Sequence, residues 1–324
     1  MDGSMGEDGI SPRHDALGLI FYLDIACRLS GPGGRGIVAV PPSAIRGALK
    51  TAFRRQVWCL HPDRIECGDC SAIFGCPFGL LFDPRVPPWS TRRRSEREIP
   101  SALRVVPSDD DRKASFRLLL MGRGAGLWPF VRTSLDRLVL EMPDPRPVGL
   151  LDAVARHPDG DVPLVVQGRD TGHEPPICRM PPRPLHFERA VTVRFLTPLQ
   201  LGRPEPRDPT EVTFLRIMKS VLGQLSSIAY FHAAEAIDLD FRDLLQAAGD
   251  IRATRHRLTR VTGTHTSSAR QGHREIPLDG WVGEIDFEGS ELARFGDLLA
   301  AAEVVGVGKK TAIGLGRLRV VDGA

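Results

Sequence analysis

Nowhere does this sequence hold an apolar run near the roughly 20 residues that cross a bilayer, which argues against a membrane span. Its opening stretch, Met1 to Asp15, lacks both the basic n-region and the apolar h-region of a secretory signal. That stretch therefore reads as a disordered leader (residues 1–15), and the expected compartment is the cytoplasm. A strong charge excess is missing too. The formal net charge of +3 is one that many soluble enzymes carry, so the sum neither demands nor excludes a nucleic-acid partner. What is present suits a globular protein: 42% hydrophobic and 26% charged residues, over 324 positions, enough for two domains with a core each.

The distribution of charge says more than its sum. Arg92-Arg93-Arg94 with Arg97, and Arg252, Arg255, Arg257 and Arg260, concentrate positive charge in two segments, as an RNA footprint or a solvated surface would. Leu17, Leu19, Phe21, Leu23, Ile25, Cys27 and Leu29 alternate, which predicts one long strand. After a Gly/Pro-rich turn, Ser43 is placed to cap a helix whose Ile45, Leu49, Phe53 and Val57 line one side. Arg46, Lys50 and Arg54 form another stripe of that helix, either a solvated face or a row of phosphate or catalytic contacts.

Strands are expected at Ser115 to Met121 and Val162 to Gln167, with a helix around Phe130 to Leu140 between them. Residues 83–111, rich in Pro, Arg and Asp, read as a long basic loop, and Glu174 to Pro184 as a linker. In the second half Val191 to Phe195 is strand-like, and Asp208-Pro209-Thr210-Glu211 predicts a capped helix start. Phe214, Ile217, Val221, Leu225 and Ile228 continue that helix, Ile251 to Val261 and Trp281 to Phe287 are strands, Ser290 caps a short helix, and Leu315 to Val321 is the last strand. Strand, helix, strand, strand, helix, strand is the ferredoxin-like split pattern, whose open sheet face RNA-binding modules use. The expected class is α+β, with an N-terminal domain over 16–184 and a C-terminal one over 185–324.

Cys59, Cys67, Cys70 and Cys76 fall within one short segment (59–76) around a Cys-x-x-Cys pair. Four thiolates at this spacing suit tetrahedral zinc, with His61 a possible substitute ligand, and a closed set leaves no position for reactive water. A structural zinc is the expected cofactor, without a catalytic metal; an iron-sulfur or redox role and free thiols are the alternatives. Near the C-terminus, residues 306–316 form a glycine-rich loop. Gly306, Gly308, Gly314 and Gly316 alternate with Lys309, Lys310 and Thr311, and Arg317 follows. Glycine lets a backbone approach phosphate closely and lysine adds point charge, so these residues are RNA-binding candidates, together with Arg46 and Arg54. A Walker loop is excluded, because Glu303 and Lys310 stand where that signature needs Gly and Ser or Thr. A plain turn is the competing reading.

Together these segments resemble the CRISPR precursor-RNA-processing endoribonucleases of the RAMP superfamily, the Cas-six type. The resemblance rests on Pro41-Pro42-Ser43-Ala44-Ile45-Arg46-Gly47-Ala48-Leu49, Cys76-Pro77-Phe78, Leu81-Phe82-Asp83-Pro84, Phe195-Leu196-Thr197-Pro198, Ser268-Ala269-Arg270-Gln271, Gly280-Trp281-Val282-Gly283 and the glycine-rich loop, in that order. It implies tandem ferredoxin-like domains, the first with a zinc-knuckle insertion, holding CRISPR repeat RNA or crRNA. It also implies metal-independent cleavage by 2′-hydroxyl attack, giving a 2′,3′-cyclic phosphate. That reaction needs a base, a cation and an acid. Under the resemblance, His265 and His273 flanking Arg270, with Lys50 and Arg46, are the catalytic candidates, since the helix carries Lys50 and Thr51 where related chains have histidine. Two other functions compete: a non-catalytic RAMP subunit that holds crRNA beside other effector subunits, and a zinc-organised nucleic-acid protein outside CRISPR systems.

Overall fold

The computed structural model describes residues 16–31, 40–56, 67, 70, 72–88, 90–91, 99–108, 115–140, 145–202, 204–269 and 272–322. The leader 1–15, most of the turn before Pro41, Cys59, His61, the Arg92 to Arg97 run and Arg270 lie outside these residues.

The first half starts with a helical turn rather than a strand: Ile20 N–H donates to the Leu17 carbonyl at 2.9 Å, and β1 (Phe21–Ser30) begins only afterwards. Helix α1 (Pro42–Gln56) follows, with Ile45, Leu49 and Phe53 fully buried, as its spacing predicts. The short α2 (Pro77–Phe82) starts on a proline, whose fixed φ suits the first helical position.

Next come β2 (Leu103–Pro107), β3 (Ser115–Met121), α3 (Trp128–Leu135), β4 (Leu138–Leu140), β5 (Arg146–Ala155), β6 (Val162–Val166), β7 (Arg169–Asp170) and β8 (Cys178–Arg179). The sheet runs β2-β3-β1-β5-β6-β7, with β4 on β5 and β8 on β1. Three expectations are corrected here. The predicted 83–111 loop contains strand β2. The predicted helix to Leu140 stops at Leu135, where Thr133 and Ser134 hydroxyls bond back to the Pro129 and Phe130 carbonyls. The predicted linker carries β8, whose Cys178 pairs with Tyr22, so it belongs to the first sheet.

The second half contributes β9 (Ala190–Leu199), α4 (Phe214–Ile228), α5 (Phe241–Asp250), β10 (Arg252–Val261), a hairpin of β11 (Thr264–Ala269) and β12 (Gly272–Pro277), β13 (Gly280–Glu288), α6 (Gly296–Val305) and β14 (Leu318–Asp322). Its sheet order is β10-β13-β9-β14. Numbered by sequence, the second sheet's strands read second, third, first, fourth; the first sheet carries the same second, third, first run and continues with its fifth strand, β5, on which β4 pairs. These pairs are antiparallel, and the β-α-β-β-α-β order recurs in both halves.

Three predicted caps move. Ser43 lies inside α1, which opens on Pro42. Asp208 caps only a single turn, Pro209 to Glu211, through the Thr210 N–H at 2.9 Å; Thr213 caps α4, accepting from Arg216 N–H at 3.3 Å. Ser290 makes no capping bond and opens a 3-10 segment that leads into α6.

One core lies between α1, α3 and the first sheet. The other packs Phe214 edge-on against Phe287 and Phe295, with centroids 5.2 and 5.1 Å away, contacts worth about 0.5–1.5 kcal/mol each beyond area burial. That second core also takes in Leu17, Ile20, Tyr22, Val106, Leu119 and Met121 from the first half. The halves are thus joined through apolar packing, and β2, at the edge of its sheet, stands at the seam.

Candidate nucleic-acid interface

The glycine-rich loop links α6 to β14 and lies along that seam. Gly306, Gly308, Gly314 and Gly316 all have positive φ, as does Lys310 at 59°. At three of them no side chain fits: a Cβ on Gly316 (φ 67°) would stand 1.8 Å from the Val307 carbonyl oxygen. A Cβ on Gly308 (φ 85°) would stand 2.2 Å from the Gln200 carbonyl oxygen, and one on Gly314 (φ 87°) would meet Pro107 Cδ at 2.9 Å.

Most of the loop's backbone donors are used internally. Val307 N–H reaches the Gly316 carbonyl at 2.8 Å, Lys309 N–H the Gln200 carbonyl at 2.8 Å, Gly316 N–H the Pro198 carbonyl at 3.0 Å and Gly308 N–H the Ser220 hydroxyl at 2.8 Å. The loop therefore does not grip phosphate with a row of free N–H groups, as its composition suggested. It holds a shape and presents side chains. Arg317 turns inward, donating to the Pro107 carbonyl at 2.7 Å, and is buried. Thr311 opens a short 3-10 turn, Thr311 to Ile313, that packs on β2.

Beside the loop lies an open groove of about 990 Å³, whose walls carry Arg207, Arg260, Lys309 and Lys310 against Glu205 and Asp279. Four cations facing two carboxylates give it a positive potential. Lys309 is exposed, while Lys310 is half-buried and its ammonium donates to the Pro277 carbonyl at the foot of the hairpin. Desolvation lowers the Lys310 pKa, partly offset by Asp279 and Glu205.

On the α1 stripe, Arg46 and Arg54 clasp the aromatic side chains of α2. Arg46 Nη2 donates to the Ser101 hydroxyl at 3.0 Å and the Leu81 carbonyl at 3.3 Å, and its guanidinium lies 5.1 Å over the Phe82 ring. Burial pushes its pKa down to about 10, still charged at neutral pH. Arg54 is buried with its guanidinium 5.3 Å over Phe78. Lys50 lies between them on an exposed position, its ammonium 5.7 Å from the same ring. Desolvation lowers its pKa, Asp83 opposes that and Arg46 adds to it.

Helix α1 also meets both β11 and the Thr311 to Ile313 turn, so Lys50's helix, His265's strand and the glycine-rich loop converge. His265 pairs with Ile276, and His273 with Ser268.

Three of the predicted metal ligands are described. Cys70 N–H donates to the Cys67 carbonyl at 3.1 Å, the tight turn a Cys-x-x-Cys knuckle requires, and Cys76 precedes α2. Their thiols are free of disulfides. Among the described residues no group of three or more His, Cys, Asp or Glu is close enough to hold an ion.

On the open face of the second sheet, charged side chains pair with one another. Glu284 on β13 pairs with Arg194 and, at 2.7 Å, with Arg257; Asp286 takes Arg257 at 3.1 Å and the Thr192 hydroxyl at 2.8 Å. Charges there are neutralised by neighbours. The first sheet repeats the device with Asp24–Arg117 and Arg28–Asp152.

Sequence reasoning missed the groove residues Arg207, Glu205 and Asp279, and the seam residues Arg104, Ser220 and Gln224. Only Ser220 and Gln224, polar and four apart on an apolar helix, left a trace.

A family model described as CRISPR-associated endoribonuclease Cas6 matches residues 193–318, which contain the groove and the loop. Over this stretch the chain is similar to the Cas6 family. A second family model, AF_1859_N, described as an N-terminal domain, matches residues 36–159. No curated protein matches the sequence. Among solved structures, the Thermus thermophilus Cas6 (TTHB231) product complex is 18% identical, with 93% of this chain and 99% of that one covered at a TM-score of 0.50. A Cas6 (TTHA0078) product complex is 17% identical, with coverage of 93% and 100% and a TM-score of 0.50. A partial Cas6-RT-Cas1–Cas2 complex is 13% identical; 94% of this chain matches 46% of that one at 0.51. At such identities the solved structures establish a shared Cas6 fold across both halves. No helix among the described residues is long and apolar enough to cross a membrane.

Proposed function

We propose that this protein binds CRISPR repeat RNA and cleaves it without a catalytic metal. The observation that carries the reading is the four-cation groove beside the glycine-rich loop, within the half that the Cas6 family model matches. Lys309, Lys310, Arg207 and Arg260 hold backbone phosphates there. In the cleavage step the ribose 2′-oxygen bonds to the adjacent phosphorus and the bond to the 5′-oxygen breaks. The 2′-hydroxyl proton passes to a base and an acid protonates the leaving oxygen, giving a 2′,3′-cyclic phosphate and a 5′-hydroxyl. Lys50, His265 and His273 are the proton-transfer candidates and Arg270 a charge stabiliser; the meeting of α1, β11 and the loop turn supports this choice.

The remaining architecture suits the same reading: tandem ferredoxin-like domains, the first with a structural zinc held by Cys59, Cys67, Cys70 and Cys76. Zinc would close a knuckle on the Cys67–Cys70 turn and tie it to α2. Other CRISPR proteins are plausible partners of the bound crRNA.

A second reading, a crRNA-holding subunit without cleavage, is favoured by α1, which lacks a histidine and spends Arg46 and Arg54 on Phe82 and Phe78. Incubation with cognate repeat RNA in magnesium-free buffer, followed by analysis of the product ends, separates the two. A single cut ending in a cyclic phosphate supports the nuclease; tight binding with intact RNA supports the holding subunit.

A further inference from the structure

Among the described residues Arg104 is the largest fully buried side chain, 1% exposed, and it sits on the seam strand β2. A buried guanidinium needs a reason, because removing it from water is costly unless its donors are satisfied. Burial lowers its pKa to about 9, so it still carries its charge at neutral pH. Its Nη2 donates to the Gln224 side-chain oxygen on α4 at 3.0 Å, while its Nη1 has no partner among the described residues. A cation so placed does not maximise stability; it fixes its neighbour.

That neighbour controls the glycine-rich loop. With its oxygen taken by Arg104, Gln224 has its amide nitrogen turned toward the Gly308 carbonyl, to which it donates at 3.1 Å. One helical turn earlier on α4, Ser220 accepts from the Gly308 N–H at 2.8 Å. The residue beside the loop's two lysines is thus held at both its N–H and its C=O by one helix, and the helix's clamp is oriented by a cation from the other half. Without Arg104 the Gln224 amide loses one of its two anchors, and the Gly308 carbonyl alone is left to orient it.

We infer that Arg104 is a positioning residue: through Gln224 it locks Gly308, and so places Lys309 and Lys310 for the RNA. This rests on the RNA reading above for its purpose, though not for its mechanics.

The test uses the full chain and two variants, Arg104→Met and Gln224→Glu. The second keeps a partner for Arg104 but cannot donate to the Gly308 carbonyl when ionised, so it probes the relay even where Arg104→Met fails to fold. Amide hydrogen exchange is followed over residues 306–316 without RNA, and repeat-RNA affinity is measured by filter binding. Expected are roughly tenfold faster exchange in the loop, with α6 and β13 still protected, and a roughly tenfold weaker affinity, the scale of one lost hydrogen bond. Unchanged loop exchange in the folded variants overturns the relay. Faster exchange with unaltered affinity overturns the positioning role. Should the wild-type chain bind no repeat RNA while the variants still loosen the loop, the relay stands and the RNA reading fails.

Discussion

At the scale of single residues, backbone conformation and burial decide most of what can be tested. Gly308 combines a positive φ with a neighbouring carbonyl where a methyl would go. Gly308→Ala is expected to cost about 1–3 kcal/mol in urea unfolding and to weaken RNA binding, because the loop must shift to admit the methyl. His232 is buried at 1% exposure and donates from Nε2 to the Pro100 carbonyl at 2.6 Å. Burial holds its pKa down to about 4, with Arg104 and Arg123 adding to the shift and the Pro100 bond opposing it. The unfolded chain therefore takes up a proton near pH 6.5 that the folded chain refuses. Stability contributed by the neutral ring is present above that pH and is lost as pH falls toward 4, on the order of 3 kcal/mol at most. His232→Gln should flatten this acid limb in urea titrations at pH 7 and pH 4.5; an unchanged pH slope would refute the assignment. Neither Arg104 nor His232 was legible beforehand as a seam residue, because a charged or titratable side chain gives no sequence sign of being buried.

At the scale of elements, legibility followed periodicity. Strand β3 and the apolar face of α1 stand where alternation and four-residue spacing put them, and the two β-α-β-β-α-β runs follow from such segments. Strand β2 was lost inside a Pro- and Arg-rich stretch, since its buried Arg104 breaks an otherwise apolar run. The hairpin β11–β12 has no alternating apolar face; pairing alone defines it. The glycine-rich loop was located from composition, but its use of backbone donors depends on Gln200, Pro198 and Ser220, which come from distant parts of the chain. Of its cations, Lys309 is exposed, Lys310 is half-buried at the groove and Arg317 is buried. Lys309→Ala with Lys310→Ala is expected to lower the slope of log affinity against log salt by about 1–2, because each lost phosphate contact releases fewer counterions. A slope equal to wild type would reduce the loop to a connection between α6 and β14. For the cysteine segment, one zinc per chain by elemental analysis is expected, with chelation lowering the melting temperature. Metal-free protein of unchanged melting temperature would remove zinc from the description.

At the scale of the whole molecule, the two halves are tied by apolar residues as well as by the Arg104 and Arg317 contacts. Tyr22, Leu119 and Met121 belong to the core of the second half although they lie on strands of the first. A single cooperative unfolding transition is therefore expected in calorimetry, and two resolved transitions would contradict a shared core. The same joint gives the groove a fixed floor, with its loop braced on β2 and its cations on the second half. Whether that groove serves chemistry as well as binding turns on the nucleophile. The most direct measurement is cleavage of cognate repeat RNA carrying one 2′-deoxy nucleotide immediately upstream of the cut. Removal of the attacking oxygen should abolish cleavage while leaving RNA affinity intact. Cleavage of the deoxy RNA at the wild-type rate would contradict 2′-hydroxyl attack.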